Sequence, residues 1–494
     1  MNIARDRSAP VVIVGAGAAG LMAAIHAAEC RAPPASFHED GATVPVAEAS
    51  ERRRDVIVIE STPGGGRKIL ISGGGRCNIL PGELDESRFV TDSSPNTMKK
   101  MLRSWPLAEQ RRFFEDDLGI PLRLEPESGK LFPASNRARD VRDGLVALAH
   151  ERGVSFLFDT TVVALEAVCS GEASPRRGAH HAGDAGAGAG AGGADGPELQ
   201  QNDADAGASR PDARWRLRTR DGRSIDAHSV VLATGGLSVP KTGSDGTGIL
   251  IARGLGHEIV DTYAALTPLV CDPPRFGDLA GVSLDVSLTA PTARHPLRSR
   301  GGFLFTHRGY SGPAVLDISH LAVRSSERAI VRALPSEATR AASPGSAPKP
   351  RQKILVQWTP LDREAWQREL APRRASLFGV IRAHMPGRLA EALLREAEVP
   401  DSRSLAELRS EERRRLLDTL TQYDLPWTGH EGYRTAEVTG GGVALSEVDP
   451  RTMESRRCPG LFLCGEILDA FGPIGGYNFL WAWATGRAAG RAAR

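Results

Sequence analysis

The hydrophobic residues of this chain begin as an uninterrupted run and not as an alternating one. Residues 11–14 (VVIV) are four consecutive β-branched positions, a run typical of a short strand buried on both faces. The stretch GAGAAG follows at residues 15–20, and residues 21–28 then have the apolar composition of a helix. A buried strand, a turn and a helix in this order predict an α/β fold with a parallel sheet.

Three later segments repeat the buried-strand pattern. Residues 55–60 (DVIVIE), 229–233 (SVVLA) and 461–464 (LFLC) each predict a strand that enters a polar or glycine-rich turn. The polar, proline-bearing residues 31–54 separate the first helix from the second strand, so we expect a surface insertion there. A buried terminal helix is predicted over residues 479–489.

A hairpin with a low-complexity tip interrupts this series. VSFLFDTTVVALEAV and RWRLRTRDGRSI predict paired strands, and residues 170–213 between them are rich in Ala, Gly and Asp. Such a composition cannot bury enough apolar surface to order the segment, so we expect a disordered tip. His180 and His181 lie in this tip, where we prefer a solvated pair to a metal site.

The region that follows departs from the α/β pattern. Residues 267–359 contain short β-type runs broken by Pro and Gly, which suit a small barrel with a loop at residues 335–352. Residues 361–423 carry Leu at helical spacing and predict a small helical unit. The run EERRR at residues 411–415 is interpreted as a solvated helix face, with a nucleic-acid contact as the alternative.

Composition restricts the classes of protein that remain. The chain has 494 residues, 41% hydrophobic and 25% charged, as expected for a globular protein of two or three domains. Its six cysteines form no C-x-x-C pair, which argues against a disulfide framework, a zinc ribbon or a redox-active dithiol. The net charge of +2 gives no global attraction to nucleic acid, and codon bias is the simplest explanation for 55 Arg against 7 Lys.

The first apolar run, residues 11–28, is interpreted as neither a membrane span nor a secretory signal. Glycine occupies positions where a span would carry Leu or Ile, and the leader MNIARDRSAP has no clear cleavage region. We therefore expect a cytoplasmic protein with no membrane partner.

Gly15, Gly17 and Gly20 form the motif G-x-G-x-x-G between the first strand and the first helix. Gly15 permits the tight turn, Gly17 lets the backbone approach a pyrophosphate, and Gly20 lets the helix pack on the strand. The N–H groups of the helix start, which includes Ala18 and Ala19, favour the negative phosphates. The motif therefore predicts a dinucleotide site. Glu60, at the end of the second strand, is the predicted ribose ligand, with a solvent-exposed carboxylate as the alternative.

Three further glycine-bearing loops are predicted to face the same ligand. In the loop at residues 61–79, two glycine triplets flank Arg67 and Lys68, and its N–H groups and arginines suit anionic or carbonyl oxygens. The turn after residues 229–233 and the loop before the terminal helix point into the same cleft. The predicted cofactor-binding residues of these loops are Gly66, Arg67, Gly74, Arg76, Cys77, Asn78, Ala233, Thr234, Gly235, Gly465, Glu466, Gly475, Gly476, Tyr477 and Asn478.

Six segments together resemble the BaiN/RdsA-like (YhiN-type) family of NAD(P)/FAD-dependent oxidoreductases. They are GAGAAGLMAA, GRKILISGGGRCN, ATGGLSVPKTGSDGTG, FLFTHRGYSGPAVLDIS, AEVTGGGVALSEVDPRTMESRRCPGLFLCGE and LDAFGPIGGYN. The first is generic to dinucleotide folds, whereas the others, in this order, are specific to the family. One departure lies in Ile79–Pro81, where members usually carry a polar pair after GRCN.

The resemblance implies an α/β architecture in which a discontinuous, Rossmann-type FAD-binding domain receives an inserted β-barrel and helical subdomain. We expect the first part of the FAD-binding domain over residues 10–262 and its second part over residues 432–494. The barrel is expected over residues 263–360 and the helical subdomain over residues 361–431.

The resemblance also implies an FAD-dependent enzyme that reduces an activated carbon–carbon double bond. A uridine of large-subunit ribosomal RNA, reduced to dihydrouridine, is the preferred substrate. A small-molecule flavoenzyme (an enone reductase or an aminoacetone-type amine oxidase) and a non-catalytic flavin-binding protein are the alternatives. Because TGSDGTG at residues 242–248 is too weak to define a nicotinamide site, a transiently bound NAD(P)H donor remains open. The sequence does not define the oligomeric state.

The proton donor of such a reaction has three candidates. Cys77 lies in the loop expected to touch the flavin ring, and a thiol there suits a general acid. His307, in the inserted barrel, and Tyr433 are the others. A small buried loop residue for Cys77 and a structural histidine for His307 are the alternatives. Glu466 and Asp469 are assigned to cofactor or loop hydrogen bonds.

Overall fold

The computed structural model of the protein describes residues 8–29, 54–168, 212–292, 295–326 and 351–494. Most of the predicted insertion at 31–54 lies outside these residues. The same holds for the hairpin tip at 170–213, with His180 and His181, and for the barrel loop at 335–352.

The described residues form a mixed set of strands and α-helices. The strands are β1 (Val11–Val14), β2 (Val56–Ile59), β3 (Leu80–Pro81), β4 (Leu122–Glu125), β5 (Lys130–Pro133), β6 (Ser155–Leu157), β7 (Val162–Ala167), β8 (Trp215–Thr219), β9 (Ser224–Ala227), β10 (Ser229–Leu232), β11 (Ile259–Ala265), β12 (Leu269–Val270), β13 (Ser283–Ala290), β14 (Leu297–Phe305), β15 (Gly309–Ser311), β16 (Leu355–Gln357), β17 (Tyr423–Asp424), β18 (Gly429–His430), β19 (Val438–Val443) and β20 (Leu461–Leu463). The helices are α1 (Ala18–Ala27), α2 (Arg67–Ile71), α3 (Pro95–Arg103), α4 (Leu107–Arg112), α5 (Ala138–Glu151), α6 (Thr247–Gly254), α7 (Pro313–Ser326), α8 (Arg363–Glu369), α9 (Leu377–Arg382), α10 (Gly387–Glu396), α11 (Ser410–Thr421) and α12 (Tyr477–Ala492).

A five-stranded parallel sheet in the order β20-β10-β1-β2-β6 forms the centre of the protein. β1 lies between β10 and β2, with Val11 opposite both Ser229 and Val56. All four residues of β1 and of β10 are buried. Burial of both sheet faces explains the uninterrupted apolar runs in the sequence. The predicted Rossmann-type α/β fold is confirmed.

The first and last parts of the chain meet in this domain. β20 completes one edge of the parallel sheet, and α12 packs along α1. The approach is close, because a Cβ at Gly486 would lie 2.4 Å from the Ala19 carbonyl oxygen and one at Gly490 would lie 2.2 Å from that of Ala23. The domain that contains the parallel sheet is therefore discontinuous, as predicted.

These contacts also fix the relative direction of α1 and α12. Gly486 meets Ala19 and Gly490 meets Ala23, so the two helices run parallel. α12 begins at Tyr477, well before its contact with the start of α1. At 1.5 Å per residue its N-terminus extends roughly 12 Å beyond that of α1.

The inserted region contains a seven-stranded antiparallel sheet in the order β17-β16-β13-β14-β15-β12-β18. Within the described residues no pairing joins β17 to β18, so the predicted small barrel takes the form of an open sheet. β17 and β18 come from residues 423–430, which were predicted to be helical, and α7 lies in residues predicted to be β. Helices α8 to α11 share a hydrophobic core with this sheet.

Three smaller sheets complete the described residues. β11 pairs with β19 in an antiparallel ribbon, and β11 crosses the predicted domain boundary between residues 262 and 263. β3, β5 and β4 form a three-stranded sheet, and the predicted hairpin pairs β7 with β8. Among the described residues no helix is both long and apolar enough to cross a membrane.

The α1–α12 contact predicts a specific sensitivity to added volume. Gly490→Ala should destabilise the protein by about 1–3 kcal/mol, because the new methyl group meets backbone that cannot yield. The control is Gly254→Ala in α6, where a Cβ meets nothing within 4 Å and Ala should be neutral or slightly stabilising. Thermal unfolding of both variants measures the difference. Equal melting temperatures would show that the two helices are not in close contact.

Candidate active site

A cavity of about 530 Å³ lies at the C-terminal ends of β1, β2 and β10. This is the edge of a parallel sheet at which α/β proteins bind ligands. Its lining continues past the start of α12 to α7 of the inserted region, so residues from distant parts of the chain share one cavity.

The turn between β1 and α1 forms one side of the cavity. Gly15 has φ +102°, and its N–H donates to the Ile59 carbonyl at 2.8 Å. A Cβ at Gly20 would lie 1.8 Å from the Gly15 carbonyl oxygen, so this glycine is required for packing. A Cβ at Gly17, in contrast, would meet no atom of the described residues within 4 Å and would project into open space at the cavity wall.

Glu60 lies at the cavity wall and already has protein partners. Its carboxylate accepts hydrogen bonds from the Ala16 N–H at 2.8 Å and from the Thr62 N–H and hydroxyl at 2.9 and 2.8 Å. These bonds orient the carboxylate and tie β2 to the glycine turn. Its predicted contact with a ribose stays a prediction.

A charged cluster joins three segments on the next stretch of the wall. Lys68 Nζ donates to Glu466 Oε2 and to Ser238 Oγ, both at 2.7 Å. Ser238 Oγ donates in turn to Glu466 Oε1 at 2.6 Å, and the Thr439 N–H donates to the same oxygen at 3.0 Å. The Glu466 carboxylate and the Lys68 ammonium are therefore committed to each other and to their neighbours.

The start of α12 forms the far end of the cavity. Gly476 is the N-cap residue, with φ +88°, and a Cβ there would lie 2.4 Å from the Leu80 carbonyl carbon. The Asn478 amide closes the preceding loop, since it accepts from the Gly472 N–H and donates to the Gly472 carbonyl, each at 2.9 Å. Among the described residues, no side chain caps the first N–H groups of α12 or of α1.

Most predicted cofactor-binding residues meet at this cavity. Those that line it are Gly15, Gly17, Ala18, Ala19, Glu60, Gly66, Arg67, Gly74, Arg76, Asn78, Ala233, Thr234, Gly235, Glu466, Gly475, Gly476 and Asn478. Gly20, Cys77, Gly465 and Tyr477 do not line it. Tyr477 instead packs against Phe89 and donates to the Glu83 carbonyl at 3.3 Å.

The structure corrects the placement of the predicted proton donors. Cys77 is fully buried and does not line the cavity, and burial raises the pKa of its thiol to about 12. Its side chain packs in the hydrophobic core. This placement agrees with the alternative interpretation of Cys77 as a small buried loop residue. His307 is exposed in the turn between β14 and β15, away from the cavity lining. Tyr433 lies off the lining as well, and its carbonyl accepts from the Val239 N–H.

The sequence analysis missed several ionisable residues of the lining, among them Glu437 and Lys130. Glu437 precedes β19, and burial raises the pKa of its carboxyl, while Glu466 adds to the shift and Lys68 opposes it. Lys130 comes from β5. Neither lies in a recognisable glycine motif. For Lys130 the sequence did carry a signal, because in a strand over these residues Lys130 and Phe132 share one face.

Comparison with known proteins bears on the chemistry of this cavity. The family described as HI0933-like protein Rossmann domain matches residues 42–177 and 196–492. The chain belongs to this family. It is an FAD-dependent oxidoreductase, as the resemblance to BaiN/RdsA-like proteins implied.

Three curated relatives cover nearly all of the chain. It is 30% identical to the ribosomal RNA dihydrouridine synthase of Escherichia coli (strain K12), over 96% of this chain and 95% of the relative. It is 28% identical to the 3-dehydro-bile acid delta(4,6)-reductase of Clostridium scindens, over 97% and 98%. It is 27% identical to the ribosomal RNA dihydrouridine synthase of Haemophilus influenzae, over 96% of each chain.

The residues of the cavity fit FAD. Asn78 Oδ1 and Thr234 Oγ1 are buried at lining residues and have no hydrogen-bond partner among the described residues. A bound ligand would supply partners for such groups, which are otherwise costly to bury. The two uncapped helix N-termini suit the negative pyrophosphate and the polar edge of the flavin ring.

The open space at Gly17 predicts a separation of folding from cofactor binding. Gly17→Val should fold normally, since φ −75° suits valine and no protein atom is near, but should lose FAD because the side chain enters the cavity. Flavin absorbance per chain and thermal unfolding of the purified apoprotein measure the two effects. The matched control is Gly429→Val in β18, where the site is equally open but lies off the cavity. A yellow Gly17→Val protein with full FAD content would contradict the assignment.

Proposed function

We propose that this protein reduces an activated carbon–carbon double bond, and that its substrate is a uridine of large-subunit ribosomal RNA. The proposal is carried by the 30% identity, over 96% of the chain, to a protein named ribosomal RNA dihydrouridine synthase. The bile acid reductase among the relatives supports the wider reaction class. Formation of dihydrouridine saturates a C=C bond that is conjugated with a carbonyl group.

Bound FAD would supply the two-electron chemistry of this reaction as a hydride. The residues that would hold it are the lining residues of the β1–α1 turn, the loop at residues 64–78 and the loop before α12. The first N–H groups of α12 would stabilise negative charge on the ring. The charged cluster of Lys68, Glu466 and Ser238 would fix the wall between these parts.

Glu437 is the proposed proton donor. It lines the cavity, and the next residue, Val438, packs in one apolar cluster with Leu316 and Ile474 at the end where α12 begins. Its raised pKa keeps the carboxyl protonated to a higher pH than usual, as a general acid near neutral pH requires. Cys77 and His307 are not proposed for this role, because neither reaches the cavity.

The departure at Ile79–Pro81 does not weaken this assignment. Ile79 and Leu80 are fully buried and do not line the cavity, and the Ile79 carbonyl accepts from Trp483 Nε1 at 3.2 Å. These residues therefore share the hydrophobic core with α12 and bond to it. The residues that replace the polar pair expected in relatives are thus core residues and not lining residues. Asn78, which precedes them, still lines the cavity.

An enone reductase is the second candidate, favoured by the relative from Clostridium scindens. Both candidates require a conjugated carbonyl group next to the reduced bond, and both need an external electron donor. We propose that NAD(P)H fills this role transiently.

The RNA assignment predicts a lost modification in cells. Mass mapping of large-subunit ribosomal RNA from cells that lack this protein should show one uridine in place of dihydrouridine. Expression of the intact gene should restore the modification, whereas the Gly17→Val gene should not. An unchanged dihydrouridine content would favour the enone reductase, which a steroid enone tests directly with the purified enzyme.

The proton-donor assignment predicts a pH effect. Glu437→Gln should slow reoxidation of the reduced flavin by substrate by about 100-fold, since an amide cannot act as the acid. In the unmodified protein the rate should fall as the pH rises through the pKa of Glu437, and the variant should lack this decline. Anaerobic stopped-flow absorbance provides the rates, with Glu364→Gln on the exposed face of α8 as the control. An identical pH profile in both variants would exclude the role.

A further inference from the structure

Lys130 is a cation at the cavity whose ammonium has no hydrogen-bond partner among the described residues. It is half-buried and lines the cavity beside the start of α12, where its Cε lies 3.7 Å from a Cβ placed at Gly475. Arg76, on the same stretch of wall, differs. Its guanidinium lies 4.1 Å from the centroid of the Phe132 ring and donates to Glu125 at 2.9 Å.

The strand explains why Lys130 faces the cavity. Side chains alternate along β5, so Lys130 and Phe132 share one face while Leu131 points to the other and enters the hydrophobic core. The strand is held on both sides, since Lys130 pairs with Pro81 of β3 and with Glu125 of β4. The ammonium is thus carried on a flexible aliphatic stem from a backbone that is held in place.

The nearby carboxylates have other partners. Asp317 accepts from the Ile474 N–H at 2.7 Å and faces Arg88 at 3.4 Å. Glu125 accepts from Arg76 and also from Ser128 at 2.5 Å. Both attract Lys130 electrostatically, but burial outweighs this attraction and lowers its pKa. A half-buried ammonium without a partner is costly unless a ligand supplies one.

The composition of the chain gives independent support. Only 7 of its 62 basic residues are lysines, yet two of the seven, Lys68 and Lys130, line this cavity. Lys68 is held by Glu466 and Ser238. In a chain that uses arginine almost everywhere, lysine at these places indicates a need for a compact charge that the broad guanidinium does not provide.

We propose that Lys130 is a catalytic residue that binds the carbonyl oxygen conjugated with the reduced double bond. The inference rests on the proposed function and adds the residue that recognises the substrate. When the β-carbon accepts a hydride from the reduced flavin, the π electrons move to the carbonyl oxygen, and an enolate forms. The α-carbon then takes a proton, and the carbonyl is restored. Lys130 stabilises the oxygen while it carries the negative charge.

This role accounts for the chemistry that the relatives' names share. A uracil ring and a steroid enone differ in size and polarity, but each presents a carbonyl oxygen conjugated with a C=C bond. Pro313 and Leu316 of α7 supply apolar lining of the same cavity. One cation without a hydrogen-bond partner among the described residues, together with apolar lining, suits a flat, conjugated carbonyl compound better than a phosphate, for which several donors are usual.

The test compares Lys130→Met, Lys130→Arg and a control, Lys100→Met on the exposed side of α3. Each FAD-loaded enzyme is photoreduced without oxygen and mixed with a large-subunit ribosomal RNA transcript or with a steroid enone. FAD content per chain and the absorbance spectrum of the oxidised flavin are recorded for every variant before reduction. These two readouts report on the cofactor and do not depend on turnover.

Lys130→Met should keep its FAD content and spectrum but should lower the reoxidation rate by about 100-fold, as expected for loss of one charged donor. In the unmodified enzyme the rate should fall at high pH as Lys130 loses its proton, at a lower pH than for an ordinary lysine. Lys130→Arg should retain part of the rate and move this decline to higher pH. Lys100→Met should match the unmodified enzyme in all readouts.

Two results would overturn the inference alone. One is an equal reoxidation rate in Lys130→Met and the unmodified enzyme. The other is a loss of FAD or an altered flavin spectrum in Lys130→Met with an unchanged rate per bound flavin, which would assign the lysine to the cofactor. If neither substrate reoxidises the unmodified enzyme, the proposed function itself fails, and the inference falls with it.

Discussion

The contact between the backbones of α1 and α12 is the constraint on which the site depends. Gly486 and Gly490 leave no room for a Cβ against α1, and Gly20 leaves none against the β1–α1 turn. α1 is therefore confined between the parallel sheet and a helix that lies more than 450 residues away along the chain. Side chains of ordinary size would separate these elements, and the cavity walls that they carry would separate with them. The apolar, largely buried composition of α1 provides the free energy for this arrangement, because its surface faces protein on nearly every side.

The parallel direction of the two helices gives the cavity its polarity. Both N-termini, which carry partial positive charge, open into the same cavity, but they lie roughly 12 Å apart along the helix direction. A ligand with negative charge at one point and an electron-accepting ring at another matches such a pair of dipoles. The loop at residues 64–78 bridges the two ends, and the Lys68–Glu466 ion pair ties that loop to the segment after β20. The geometry of one packed helix pair thus sets the spacing of two electrostatic sites.

The parts of the site that were predictable are those in which glycine is required for a steric reason. Gly15, Gly66 and Gly476 have positive φ. Each lies in a glycine-rich stretch that can be recognised in the sequence. Cys77 also has positive φ and lies in such a loop, but nothing in the sequence shows that its side chain turns into the core. Lys130 and Glu437 were missed for the opposite reason, since their placement depends on a small sheet and on a two-stranded ribbon whose partners are distant. The fold class followed from the buried strands, whereas the order of the inserted sheet depended on pairings such as β12 with β18 that no local signal defines.

The inserted region contributes to the site through α7 more than through its sheet. Pro313 and Leu316 reach the cavity, and the next residue, Asp317, holds the Ile474 N–H in the loop before α12. Burial raises the pKa of Asp317 to about 6, so its hold on this loop is an interaction with a carboxylate that titrates near neutral pH. Because α7 also packs on β14 and β11, a shift of the inserted sheet would be transmitted to the cavity lining that α7 supplies and to the loop before α12. The end of the cavity between α7 and the start of α12 is therefore shaped by two units at once. If this end holds the substrate, as proposed, variation in the inserted unit would change the substrate while the lining of the β1–α1 turn is kept.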